Sequence, residues 1–273
     1  MKLHCAQFEL TLNRPHVMGI VNVTPDSFSD GGQYVHTSAA IEHAFALVEQ
    51  GADILDVGGE STRPNATPVP LQEELDRVIP VIEVLARHVK VPISIDTYKP
   101  AVMAAAIGAG ASIVNDVRAL QEVGAMEAVA KTDVGVCLMH MQGTPQTMQI
   151  EPTYSDVVAE VKSFLAERAE ACLQAGIAKN RILLDPGFGF GKTRAHNILL
   201  IQELASIEDL GYPLLVGLSR KSVLGQVTGQ DVDARLHASV AAAVISAMKG
   251  ANIVRVHDVK ATVEALKVVA AIA

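Results

Sequence analysis

Polar and charged residues recur at the ends of apolar runs along the whole chain: Asn22, Asp56, Asp96, Asn115, His140, Asp185, Ser219, and the pair Arg255 and His257. Carboxylates and amides can read N–H groups on a ligand, while a guanidinium beside an imidazole suits an anion. Arg255 and His257 are two apart, so in an extended strand they share a face and point the same way. Strand ends meet solvent and often carry Asp or Asn for capping alone. That reading suffices for one strand, but much less well for eight.

Four segments add to this set. The first, Asn22-Val23-Thr24-Pro25-Asp26-Ser27-Phe28-Ser29-Asp30-Gly31-Gly32, is too polar and turn-rich for strand or helix and is long for a connection. The second, Gly58-Gly59-Glu60-Ser61-Thr62-Arg63-Pro64, sets an arginine and hydroxyls in another loop. Two such loops on one face would close over a substrate and exclude water. The third, DPGFGFGK at 185–192, fails as a phosphate loop, because the Walker pattern needs glycine where Pro186 stands. Its glycines would instead let backbone approach a flat ligand, with Asp185 as a hydrogen-bond acceptor. In the fourth, GLSRKS at 217–222, Lys221 has three open readings: a Schiff-base lysine, a cation fixing a carbonyl oxygen, or a solvated side chain.

The elements that must carry these residues are legible as a repeat. Eight apolar runs occur: VMGIVNV from Val17, DILDVGG from Asp53, PISID from Pro92, SIVNDV from Ser112, GVCLMHM from Gly135, ILLDPG from Ile182, PLLVGLS from Pro213 and NIVRVHD from Asn252. Such runs suit strands covered on both faces, as in parallel sheets. Between them, 38–49, 71–87, 99–107, 154–175 and 235–248 show apolar positions at helical spacing. Eightfold alternation predicts an α/β fold of the (β/α)8 TIM-barrel class, with an open doubly wound sheet as the alternative. A chain of 273 residues, 49% hydrophobic and 19% charged, fits one such domain, since barrels need about 250 residues. Residues 1–16 are expected as a short N-terminal extension at the barrel bottom. Catalytic residues then lie at the C-terminal ends of the strands.

Other classes fit poorly. A net charge of −8 argues against a nucleic-acid partner. The segment MKLHCAQFEL lacks a secretory signal, and no run approaches the roughly 18 apolar residues of a membrane span, so a cytoplasmic protein without membrane contact is expected. Cys5, Cys137 and Cys172 are odd in number and without a CxxC pair, so they read as reduced thiols rather than a disulfide framework or zinc site.

Taken together, MGIVNVTPDSFSDGG, GGESTRP, SIDT, NDV, LMHMQGTPQTMQ, DPGFGFGK, GLSRKS and RVHDV resemble the dihydropteroate synthase family, in order and across nearly the whole chain. The resemblance implies a transferase of folate biosynthesis. It would join 6-hydroxymethyl-7,8-dihydropterin diphosphate to 4-aminobenzoate, giving 7,8-dihydropteroate and diphosphate by alkyl transfer of the pterin methylene. It also implies Mg2+ as cofactor, with Asn22 as the matched ligand, and a homodimer.

Residue by residue, Asp96, Asn115 and Asp185 match the pterin-reading set, with Thr62, Lys221, Arg255 and His257 completing the pterin diphosphate site. Lys221 is similar to the family lysine contacting the pterin ring, and Arg255 to the guanidinium lying against it. Asn22, Arg63, Lys221, Arg255 and His257 are the implied catalytic residues, of which Asn22, Arg63, Arg255 and His257 surround the leaving anion. Phe28, Thr62, Arg63, Pro64, Phe190, Ser219 and Lys221 match the 4-aminobenzoate slot, which sulfonamides would share. If diphosphate leaves before attack, a weakly basic amine needs no strong general base, and no Ser-His-Asp or Cys-His set is required.

Asn65 departs from the family's usual glycine, a change a turn tolerates and one that bears on aminobenzoate and inhibitor affinity. Two relatives on the same barrel are alternatives. A pterin- or folate-dependent methyltransferase would not be expected to keep both loops, and a non-catalytic pterin-binding paralogue would have lost diphosphate-site residues.

Overall fold

The computed structural model describes residues 1–23, 33–63 and 66–272. A hairpin of β1 (Lys2–Cys5) and β2 (Phe8–Thr11) opens the chain, followed by β3 (His16–Asn22), α1 (Gln33–Glu49), β4 (Ile54–Gly58), α2 (Leu71–His88), β5 (Ile93–Asp96), α3 (Pro100–Ala109), β6 (Ile113–Asp116), α4 (Ala125–Ala130) and β7 (Gly135–Met139). Next come α5 (Val157–Gln174), β8 (Ile182–Asp185), α6 (Arg194–Gln202), α7 (Leu204–Glu208), β9 (Leu215–Val216), α8 (Ser222–Thr228), α9 (Leu236–Met248), β10 (Ile253–Val256) and α10 (Val259–Ile272).

Strands β3 to β10 pair in parallel in the order β8-β7-β6-β5-β4-β3-β10-β9. A bridge between Leu184 and Leu214 joins β8 to the residue before β9, so the two edges meet and the sheet is a barrel, not an open doubly wound sheet. All eight apolar runs contain a strand. The seventh shortens to Leu215–Val216, because its Gly217 onward turns into the loop carrying Lys221.

Alternation along each strand explains the apolar runs. On β4, Leu55 and Val57 pack outward with Val78 and Leu85 of α2, whereas Ile54 faces inward and joins the cluster at the barrel bottom. Leu3 and Cys5 of the hairpin enter that same cluster with Met18, Ile113 and Leu183. Each leucine buried there contributes about 1.5–3 kcal/mol. The barrel bottom is thus filled by an apolar plug, and the polar strand-end residues named from the sequence lie at the other end.

Local signals set the helices. In α2, Glu73 and Glu74 stand in the first turn and Arg87 and His88 in the last, both favourable to the helix dipole. The Asp156 side chain caps α5 by accepting from Val158 N and Ala159 N, and Thr193 and His196 cap α6 reciprocally. Among the described residues no helix is long and apolar enough to cross a membrane.

At the C-terminal end of the strands the register matters most. Asn22 pairs with Gly58, Gly58 with Asp96, and Asp96 with Asn115, which places three of the implicated side chains in one row across four strands.

Candidate active site

Arg255 is the centre of the barrel mouth. Its Nε donates to Asp56 Oδ2 at 2.5 Å and its Nη2 to Asp96 Oδ2 at 2.8 Å, across 199 and 159 residues of chain. Asn115 Nδ2 donates to the same Asp56 oxygen at 3.2 Å. A guanidinium is a planar fork, and here its two prongs hold two different strands. Burial works against the charge on Arg255, but Asp56 and Asp96 outweigh it and hold the group above its ordinary range. Burial pushes the Asp96 carboxyl up while Arg255 opposes it. Asp96 Oδ1, like Asp56 Oδ1, is buried with no hydrogen-bond partner among the described residues, an acceptor left free beside Arg255.

Beside the Arg255 strand, at the end of β8 and after β9, stand Asp185 and Lys221. Asp185 is buried, and its Oδ1 accepts from Gly187 N at 2.7 Å. Burial raises its carboxyl, with Lys221 opposing. Lys221 Nζ donates to the Phe188 carbonyl at 2.5 Å and lies 4.6 Å from the centre of the half-buried Phe190 ring. Burial pulls its ammonium down to about 8, resisted by Asp185. Ser219 Oγ meets His257 Nδ1 at 3.0 Å and accepts from His257 N at 3.2 Å, which fixes the imidazole. Burial, then Arg255, lowers His257 to about 4, so the ring is neutral at physiological pH.

Asn22 is half-buried at the end of β3, Thr62 is half-buried, and Arg63 is exposed. The Arg63 charge is close enough to contribute to the downward shift of His257. The structure therefore brings Asp96, Asn115, Asp185, Phe190, Ser219, Lys221, Arg255 and His257 to one mouth, with Asn22, Thr62 and Arg63 at its rim. Phe28, Pro64 and Asn65, and most of loop 22–32, lie outside the described residues.

Three features were not anticipated from sequence. Asp56 was read only as a polar strand end, yet it is the fully buried partner of Arg255. Lys99 pairs with both Glu60 and Glu74 and donates to Val69 O at 2.7 Å, while Tyr98 donates to Glu60 at 3.1 Å. That cluster ties the loop after β4 to α2 and to the residues following Asp96. His140, by contrast, turns away from the mouth and sets its ring edge against Phe164, 5.0 Å between centres.

The glycines of DPGFGFGK also have a reason other than a flat ligand. At Gly187, φ is +67° and a Cβ would stand 1.9 Å from the His140 carbonyl; at Gly191 it would stand 2.5 Å from the Gln142 carbonyl. These two positions let the loop after β8 lie directly on the backbone that follows β7.

Comparison with known proteins identifies the family to which this fold and sequence belong. The family model described as "Pterin binding enzyme" matches residues 18–257. The chain is 55% identical over 271 residues to the dihydropteroate synthase of Escherichia coli (strain K12), covering 99% of this chain and 96% of that protein. The Xanthomonas albilineans dihydropteroate synthase with 4-aminobenzoic acid superposes with a TM-score of 0.94 at 55% identity, covering 99% of this chain and 97% of that one. The Yersinia pestis dihydropteroate synthase with a sulfonamide drug gives 0.95 at 53% identity, covering 99% and 98%. Matched along its length in sequence and in fold, the chain belongs to the pterin-binding enzyme family and, within it, to the dihydropteroate synthases.

Proposed function

We propose that this transferase condenses 6-hydroxymethyl-7,8-dihydropterin diphosphate with 4-aminobenzoate. The observation that carries the residue assignment is the unpartnered, buried Asp96 Oδ1 in a ring closed by Asn115, Asp185, Lys221 and Arg255. An aminopyrimidine edge supplies the N–H donors that such acceptors need, and a lysine ammonium suits the ring's carbonyl oxygen.

With the pterin so held, its methylene faces Arg255, His257 and the rim. The carbon–oxygen bond to diphosphate breaks, and its electron pair leaves with the anion. Arg63 and Arg255 offset that charge, and His257, held by Ser219, donates a hydrogen bond as a neutral imidazole. The lone pair of the aromatic amine then forms the carbon–nitrogen bond, and the amine's proton passes to solvent or diphosphate. Thr62, Arg63, Phe190, Ser219 and Lys221 are the described part of the proposed aminobenzoate slot. The Xanthomonas albilineans relative holds 4-aminobenzoic acid and the Yersinia pestis relative a sulfonamide drug, and we place both classes of ligand in this slot.

Mg2+ belongs to the same proposal. Among the described residues no three His, Cys, Asp or Glu side chains are grouped to hold a metal ion. That donor set fits an ion carried mainly by diphosphate oxygens and water, with the Asn22 amide oxygen as its protein ligand. When bound, the ion offsets charge on the leaving group. A cytoplasmic homodimer is part of this reading too; its support is the exposed apolar set of Val227, Val232, Ile245 and Met248 around α8 and α9. A light-scattering mass of one copy would remove the dimer.

The decisive assay combines both substrates with Mg2+ and follows diphosphate release and dihydropteroate formation. No product above a no-enzyme control sinks the synthase assignment. Asn22→Ala is expected to weaken Mg2+-dependent diphosphate binding about tenfold, the order of a lost hydrogen bond to a charged group, while sparing affinity for a pterin lacking diphosphate. Calorimetric titration with each ligand checks this, and equal loss for both contradicts the metal role.

A further inference from the structure

The glycine-rich loop after β8 ends in a lysine that the reaction does not touch. Lys192 is 2% exposed. Its Nζ lies 2.9 Å from Gly187 O, 3.0 Å from Phe190 O, 3.3 Å from His140 O and 2.8 Å from His140 Nδ1. Burial pulls the Lys192 ammonium well down, but three carbonyl oxygens that can only accept surround Nζ and favour the donor-only protonated form. The Nδ1 that meets it is then an acceptor, and His140 carries its proton on Nε2. Three carbonyl oxygens and an imidazole nitrogen around one small cation form the kind of cage that elsewhere holds a metal ion.

The rest of the loop shows what this cage does. Phe188 O accepts from Lys221, Gly189 O from Gln149 at 2.6 Å, Gly191 O from Tyr154 at 2.7 Å, and Lys192 O from Asn197 at 3.3 Å. Every carbonyl from Gly187 to Lys192 is therefore engaged. Those of residues 187 and 190 turn inward to Lys192, and that of residue 188, between them, turns out to the reacting site. Phe190, whose carbonyl Lys192 holds, presents its ring to Lys221.

We propose that Lys192 is a positioning residue for the condensation, an internal ammonium in a carbonyl cage that sets where Lys221 and Phe190 stand against the substrates. Resting on the aminobenzoate slot assigned above, it extends that assignment to a residue buried behind the slot. Lys192 acts through Phe188 O on Lys221 and through the backbone of residue 190 on the Phe190 ring. The arrangement also gives the final lysine of DPGFGFGK a role unrelated to phosphate.

The test uses Lys192→Met, which keeps the stem and removes the ammonium, and Lys192→Ala, which leaves room for an added amine. For Lys192→Met, kcat/KM for 4-aminobenzoate is expected to fall about thirtyfold, the scale of a sub-ångström to 1 Å misplacement of a site. Product inhibition by diphosphate, assigned above to Arg63, Arg255 and His257, none of which Lys192 touches, stays within twofold. Propylammonium restores activity to Lys192→Ala, whereas tetramethylammonium at equal ionic strength, having no N–H donor, does not. Parent-like kcat/KM in Lys192→Met overturns the proposal. So does a loss that follows only the folded fraction, with diphosphate affinity falling in parallel and no amine rescue. If the parent protein itself forms no dihydropteroate, the synthase reading fails; if it does and Lys192→Met is unaffected, only this inference fails.

Discussion

Arg255→Met is expected to lower kcat/KM by about 10³-fold, the scale of removing a principal electrostatic stabiliser, and to destabilise the fold by about 3 kcal/mol. The two effects have one cause. Arg255 satisfies Asp56, which is fully buried, and Asp96, which is nearly so. Without it, two carboxylates share the interior of the barrel with the Asn115 amide as their one remaining described side-chain hydrogen-bond partner and Lys221 as a more distant charge. Breaking such a pair by removing one partner costs about 3–5 kcal/mol, and the lower end applies because the Arg255 side chain retains 20% of its exposure. Activity falls further, because the departing diphosphate loses a cation and Asp96 loses the contact that orients its free oxygen.

Arg255→Lys should keep part of the stability and little of the activity, since a single ammonium cannot span two carboxylates as a fork does. In the double variant Arg255→Met with Asp56→Asn, stability should recover while turnover does not. Denaturant titration and steady-state kinetics read both effects. Activity within tenfold of the parent in Arg255→Met, or no loss of stability, would refute this account of the barrel mouth.

That pairing shows where sequence reading stops. The strands were legible because parallel strands bury both faces and so appear as continuous apolar runs, each ending in a polar residue. The longer amphipathic helices were legible by their spacing. Helix α4, with six residues, is too short for a period to emerge, and α10 begins within two residues of the last strand's polar end, so its apolar positions merge with the preceding run.

Types of site residue could be read, but partners could not. Asp56 and Arg255 stand 199 residues apart, and only the pairing of the last strand, β10, beside β3 makes them neighbours. Lys192 was hidden for a different reason: lysine is ordinarily solvated, so a buried one announces itself only through the acceptors around it. The same holds for Lys99, whose two carboxylate partners come from a loop and a helix well upstream. His140 misled because it occupies a strand end while its ring joins the aromatic contacts behind the barrel.

Lys221 supplies the second large effect, and its sign separates two chemistries. Burial lowers its ammonium to about 8, against the roughly 10.4 of a solvated lysine. The protonated form is the one that donates to Phe188 O and to a pterin carbonyl, so it is complete below pH 8 and lost above it. Plotted for free enzyme against pterin diphosphate, log kcat/KM should fall with unit slope above about pH 8. Arg255 keeps its charge throughout that window, and His257, lowered to about 4, is already neutral, so neither contributes to the limb. Asp96, raised by burial to about 7, titrates on the acid side of it, and burial raises Asp185 in the same direction. Lys221→Met should cut kcat/KM by about 10²-fold or more at pH 7 and abolish the alkaline limb, because the titrating cation is gone. A Schiff-base lysine gives the opposite slope, since the neutral amine is its reactive form and kcat/KM would climb through pH 8. A rising limb, or a borohydride-trapped adduct on Lys221, would overturn the cation role, and with it the placement of the pterin carbonyl against this wall of the barrel.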